Sequence, residues 1–171
     1  MKTLLVLRHA KSDWGDAGVA DHDRRLAPRG HRGAELLAAH FARTHVGPDV
    51  VLCSTARRAR ETLELAQPGL PSSTRVYFER RLYGAGVDEL LERIDEVPDD
   101  VGSVLLVGHN PGLEDLVIAL TAHGDRTLRQ RVETKFPTAA FATLDLDVER
   151  WADVQPGTGT LVAFVTPKDL G

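Results

Sequence analysis

The chain has 171 residues, enough for one domain with a full hydrophobic core, and its 42% hydrophobic and 27% charged content is that of an ordinary globular protein. A formal net charge of -4 excludes a broad basic field that would attract nucleic acid or anionic lipid; a phosphorylated partner would need a local cluster of arginines instead. The single cysteine, Cys53, excludes an internal disulfide and a cysteine-rich metal cluster, and a reducing cytoplasm is the expected location.

The first element is "TLLVLRH" (3–9), a continuous apolar run rather than an alternating one, which predicts a strand buried on both faces. Its apolar part, Leu4 to Leu7, is far too short to cross a bilayer or to form a signal-peptide core, so no membrane association is expected. Residues 14–30 are polar and rich in Gly and Asp, and predict an irregular loop. A helix is expected from Pro28, a residue suited to a first helical turn, with Leu36, Leu37 and Phe41 inward. "DVVLCS" (49–54) predicts a second buried strand, and residues 55–66 a helix with Ser54 as its N-cap.

"RVYFE" (75–79) is a third strand candidate, and residues 87–97 carry Leu90, Leu91 and Ile94 at helical spacing. "VGSVLLVGH" (101–109) predicts a fourth strand. A helix over 110–124 follows, with Asn110 as cap, Pro111 in the first turn, Glu114 and Asp115 where the dipole favours them, and Gly124 as its stop. Residues 138–147 and 160–166 supply closing strands. Repeated β-then-α order predicts an α/β fold over 1–171: a single three-layer α/β/α sandwich with a mostly parallel central sheet and helices on both faces.

In open α/β sheets, ligands bind beyond the carboxyl ends of the strands. Strand one ends in Arg8 and His9, strand two in Cys53 and Ser54 just before Arg57, Arg58 and Arg60, and strand four in Gly108 and His109 before a helix start. Arginine forks match phosphate oxygens in pairs, helix N-termini add N–H donors, and a neutral imidazole can attack phosphorus. Singly, each residue has a plainer explanation: an ion-paired strand end, a structural histidine, a capped helix, a solvated arginine face. Their joint placement at three strand ends favours a phosphoryl site. The residues alone do not separate Arg58 from Arg57.

"LRHAKSDW", "STARRARET" and "VGHNPG", in that order over residues 3 to about 120, resemble the histidine phosphatase superfamily, also called phosphoglycerate-mutase-like. The short chain, the "RHAKS" spelling and "DHDRRLAPRG" (21–30) resemble its SixA phosphohistidine phosphatase group. The resemblance implies His9 as the nucleophile that becomes phosphohistidine, with Arg8 and Arg58 on the phosphoryl group and His109 as second pocket histidine. Arg58 is reached through Ser-x-x-x-Arg-Ala-x-x-Thr, matched by Ser54, Arg58, Ala59 and Thr62. Ser12 is a candidate phosphate hydrogen-bond partner, and Arg24 either helps the pocket or fixes its loop. Glu79 stands near the place where larger members carry a carboxylate acid, with a spacing that does not match cleanly, and Ala10 stands where the broader superfamily has Gly.

The expected activity is therefore a metal-independent phosphatase with no cofactor, acting on phosphohistidine borne by a signalling or carrier protein. The alternatives are a phosphatase of small phosphorylated metabolites and a non-catalytic phosphate-binding module. Arginines beside His9 and His109 disfavour a bound cation. His22, His31, His40, His45 and His123 are expected at the surface, and Trp14 and Tyr83 in loop or core packing rather than at the pocket mouth. A monomer or weak dimer is expected.

Overall fold

A computed structural model describes all residues, 1–171. The strands are β1 (Lys2–Arg8), β2 (Val50–Ser54), β3 (Arg75–Glu79), β4 (Ser103–Gly108), β5 (Thr121–Gly124), β6 (Phe141–Leu146) and β7 (Gly159–Val165). They form one sheet in the order β3-β2-β4-β1-β6-β7-β5, and only β6 runs against the others. The helices are α1 (Pro28–Thr44), α2 (Arg57–Ala66), α3 (Val87–Asp95), α4 (Gly112–Leu120), α5 (Arg126–Thr134) and the single turn α6 (Pro167–Leu170).

The continuous apolar run of β1 follows from its central place. Leu4 and Val6 enter one core with Leu113, Leu116, Val117 and Trp151, while Leu5 and Leu7 enter a second core with Leu37, Phe41, Ala59 and Leu63. Alternate side chains of one strand thus feed opposite cores, as the pleat requires. Helices α1 and α2 cover one face and α3, α4 and α5 the other, which gives the three-layer α/β/α architecture.

Several boundaries depart from expectation. Helix α1 begins at Pro28 as predicted, but Leu36 is only half-buried while Leu37 and Phe41 are fully enclosed. Helix α2 begins at Arg57, and Ser54 does not cap it. Pro111 lies just before α4 rather than inside it, and Asn110 reaches α4 through Oδ1, which accepts from Glu114 N at 3.3 Å. That helix stops at Leu120, because Thr121 to Gly124 form a parallel edge strand against β7, so Gly124 ends a strand and not a helix. Helix α5, capped by the Asp125 carboxylate at Thr127 N and Leu128 N, was not anticipated.

Candidate active site

Strand register assembles the site. Arg8 lies beside Gly108, Cys53 beside Val107, and Ser54 beside Glu79, so β1, β2 and β4 deliver their ends to one edge. The His9 N–H donates to Gly108 O at 3.0 Å, and the His9 and His109 rings stand 5.2 Å apart. Thr62 on α2 ties this edge to the helix: its Oγ1 accepts from Ala10 N at 2.9 Å and donates to Arg58 O at 2.6 Å. Ala10 is fully buried and is not among the residues with positive φ, so nothing in its backbone requires glycine.

The hydrogen bonds fix the His9 tautomer. Nδ1 donates to the Ala10 carbonyl at 2.7 Å, which leaves Nε2 as an acceptor, and Arg58 Nε approaches it at 3.4 Å. Burial lowers the His9 pKa to about 3; the Ala10 bond, the next-largest influence, opposes it, and the neighbouring His109, Arg58 and Arg8 add to the lowering. Burial and Arg58 lower His109 to about 4. Both rings are therefore neutral at neutral pH.

The sign of the resulting pH dependence is determined. An unfolded histidine titrates near its ordinary 6.5, so the unfolded chain takes up protons first, and stability is lost as pH falls from there toward about 3. NMR titration of the His9 imidazole is expected to show no midpoint near 6.5 and a neutral ring down to about pH 5. A midpoint at the ordinary value would contradict this environment.

Two buried nitrogens here have no hydrogen-bond partner, Arg8 Nε and His109 Nδ1. The other end of each group is anchored: Arg8 Nη1 donates to Phe136 O at 2.9 Å, and His109 Nε2 lies 2.8 Å from Ser54 Oγ. Ser54 Oγ also accepts from Ala56 N at 3.2 Å, so this serine is spent on holding a histidine rather than on capping. An unsatisfied buried donor is costly, and Arg8 Nε–H beside a histidine with an unprotonated Nε2 forms a receptor for an anion's oxygens, which His109 Nδ1 joins in the tautomer where the Ser54 hydroxyl donates to Nε2.

A carboxylate not singled out in the sequence sits at the mouth. Asp21 accepts from Arg58 Nη2 at 3.2 Å, from Arg24 Nε at 3.1 Å and, by a short bond, from the Tyr83 hydroxyl. Its backbone carbonyl accepts from Arg58 Nη1 at 2.7 Å. The Tyr83 bond, ahead of the Arg58 charge, holds the Asp21 carboxyl at about 2, so it is ionised at neutral pH. Tyr83 packs edge-on against His109 and His22, which corrects its expected place in loop or core packing. His22 is half-buried at this rim, with Nε2 2.9 Å from Thr55 Oγ1, and His40 is half-buried against Phe41 and Phe141, so neither is a plain surface residue.

The remaining candidates are dispersed. Arg24 donates to Ser12 Oγ at 2.6 Å and stacks on the largely exposed Trp14 at 3.5 Å, so Arg24 and Ser12 brace the loop that presents Asp21. Glu79 is bound through both oxygens to Arg93 Nε, at 2.6 and 3.0 Å, and contacts neither histidine. No group of His, Cys, Asp and Glu has metal-site geometry, and no helix is long and apolar enough to cross a membrane. Asp21 opens the "DHDRRLAPRG" stretch, three residues before Arg24, and the pocket mouth is the alternative place for Tyr83, but the bond between them joins residues 62 apart and leaves no local signal.

Comparison with known proteins identifies the family and the fold. A model of the histidine phosphatase superfamily, branch 1, matches residues 4–86. An uncharacterised protein of Mycobacterium tuberculosis is 43% identical over 164 residues, covering 95% of this chain and all of the relative. Among solved structures, a Nakamurella multipartitia protein assigned as phosphohistidine phosphatase SixA is 34% identical with a TM-score of 0.83, over 97% of this chain and 96% of the other. The protein histidine phosphatase SixA complexed with tungstate is 26% identical with a TM-score of 0.76, over 99% of both chains.

Proposed function

The chain belongs to the histidine phosphatase superfamily, SixA type, and from that premise we propose that it hydrolyses phosphohistidine carried on a protein, through a covalent phosphohistidine at its own His9. The observation that carries this reading is the pair of unpartnered buried nitrogens, Arg8 Nε and His109 Nδ1, beside a histidine whose Nε2 is unprotonated. In the first step the Nε2 lone pair forms a bond to phosphorus and the substrate P–N bond breaks, its electron pair returning to the leaving imidazole. In the second step water forms a P–O bond and gives up a proton to solvent, while the P–Nε2 bond breaks and its electron pair returns to Nε2. Nδ1–H on the Ala10 carbonyl holds the ring in register through both.

Arg8, Arg58 and His109 receive the phosphoryl oxygens and stabilise the charge that builds on them. With the Ser54 hydroxyl donating to Nε2, His109 presents Nδ1–H to an oxygen. Ser12 and Arg24 are positioning residues for the Asp21 loop rather than phosphate ligands.

The lack of a placed carboxylic acid supports the substrate class. Glu79 is committed to Arg93, and Asp21 is ionised among Tyr83, Arg24 and Arg58. Departing imidazole is readily protonated and needs little help, whereas an alkoxide leaving group requires an acid that contributes about 10²-fold or more. Assayed side by side, a phosphohistidine protein is therefore expected to exceed small phosphate esters in kcat/KM by about 10²-fold. Better turnover of the small esters would replace this substrate class with the metabolite one.

A further inference from the structure

Beside the catalytic pocket, at the same edge of the sheet, lies a second cavity of about 570 Å³ between the start of α1, α5 and α6. Five cationic side chains line it, Lys11, Arg29, Arg131, Lys135 and Lys168, and none of its 17 lining residues is acidic. Arg131 is ion-paired with Asp169 and stacks over Phe164. The other four form no ion pair and no side-chain hydrogen bond, although the protein as a whole is net negative.

The backbone adds to this field. Helix α1 has no acidic residue in its first turn and no side-chain cap, so its positive end is uncompensated where Arg29 and Gly30 enter the cavity wall. Gly30 lets that turn approach closely, since a Cβ there would stand 2.1 Å from the Lys11 carbonyl oxygen. Four like charges gathered into one concavity repel one another unless an anion joins them.

We infer that this cavity is a binding site for a polyphosphate-bearing small molecule, built by Lys11, Arg29, Lys135 and Lys168 around the start of α1. Its volume lies within the range of small-molecule sites, and its concave form suits a compact ligand rather than the face of a protein. The loop Phe136–Ala139 separates it from the phosphoryl site. One side of that loop is held by Arg8 and Asn110 through the Phe136 carbonyl, and Pro137, Thr138 and Ala139 face the cavity. Ala139 is left-handed, at φ 62°, and its N–H donates to both Arg8 O and His9 O. A non-glycine residue is strained in this conformation, and the cavity wall thereby rests on the backbone of Arg8 and His9.

The test is calorimetric titration of the full chain with magnesium-free ATP and, separately, with inorganic pyrophosphate. Both are expected to bind saturably, with Kd at least tenfold higher in the Lys135→Glu/Lys168→Glu variant and unchanged within twofold in His9→Ala/Arg58→Ala. Lys11→Ala provides a second reading should the double charge reversal fail to fold. Absence of saturable binding by either probe overturns the site. So does binding that Arg58→Ala abolishes and Lys135→Glu/Lys168→Glu leaves intact, since the anion would then occupy the phosphoryl pocket. Binding of ATP without pyrophosphate also overturns it, because recognition would then rest on the nucleoside. None of these outcomes depends on the phosphatase reading, whose failure would appear in turnover instead.

Discussion

Replacing His9 with alanine is expected to lower kcat by about 10⁴-fold or more, the loss typical of removing a nucleophile that works with its neighbours as a unit. His9 supplies an unprotonated imidazole nitrogen that faces the Arg58 guanidinium, with Nδ1 already committed to the Ala10 carbonyl. His109 cannot take its place, because its Nε2 is held by Ser54 and its ring lies across the pocket. The variant should keep its fold. Ala10 stays anchored to Thr62 and the His9 backbone to Gly108, neither of which uses the imidazole. It should also still bind phosphate, since Arg8, Arg58 and His109 remain. A non-catalytic phosphate-binding module would make the same substitution inconsequential. Steady-state turnover with a phosphohistidine protein decides between them, and retained turnover in His9→Ala would remove His9 from the chemistry.

Arg58→Ala carries the second-largest expected effect, a fall in kcat of about 10²- to 10³-fold, as for loss of one donor to transition-state charge. All three faces of the Arg58 guanidinium are engaged, by His9 Nε2, the Asp21 carbonyl and the Asp21 carboxylate. Lysine at this position should recover little, because a single ammonium cannot reproduce that fork. Asp21 would keep Arg24 and Tyr83 as partners, so the variant does not strand a carboxylate. Arg57→Ala is the control. Arg57 is half-exposed on the other side of the helix start and pairs with Glu61, and an exposed pair of this kind contributes little. Equal losses in the two variants would contradict the assignment of the phosphoryl arginine to Arg58.

That contrast also marks what the chain discloses before it folds. Arg57, Arg58 and Arg60 are equivalent in composition and differ only in the direction each side chain leaves α2, with Arg60 turned back to the Thr55 carbonyl. The central strands were legible because burial on both faces requires unbroken apolar runs, as in Leu4–Leu7 and Val104–Val107. The start of α1 was legible because proline suits a first turn. The end of α4 was not: residues 110–124 carry a helical pattern, and the chain leaves it at Thr121 because β7 offers an open edge to pair with. Helix α5 was hidden by its polarity, with only Leu128 and Val132 facing inward across one turn. In the site, His9, Arg8 and His109 were visible as polar residues at the exits of apolar strands. Asp21, Ser54 and Tyr83 were not assigned their parts, because each acts through a partner from a distant segment.

Rapid acid-free quenching of wild-type protein mixed with a radiolabelled phosphohistidine protein, followed by peptide mapping, tests the covalent step most directly. The account predicts label on the imidazole of His9, stable to alkali, lost in acid, and appearing before inorganic phosphate is released. Label on any other residue, or phosphate release with no labelled enzyme at any time, would contradict it.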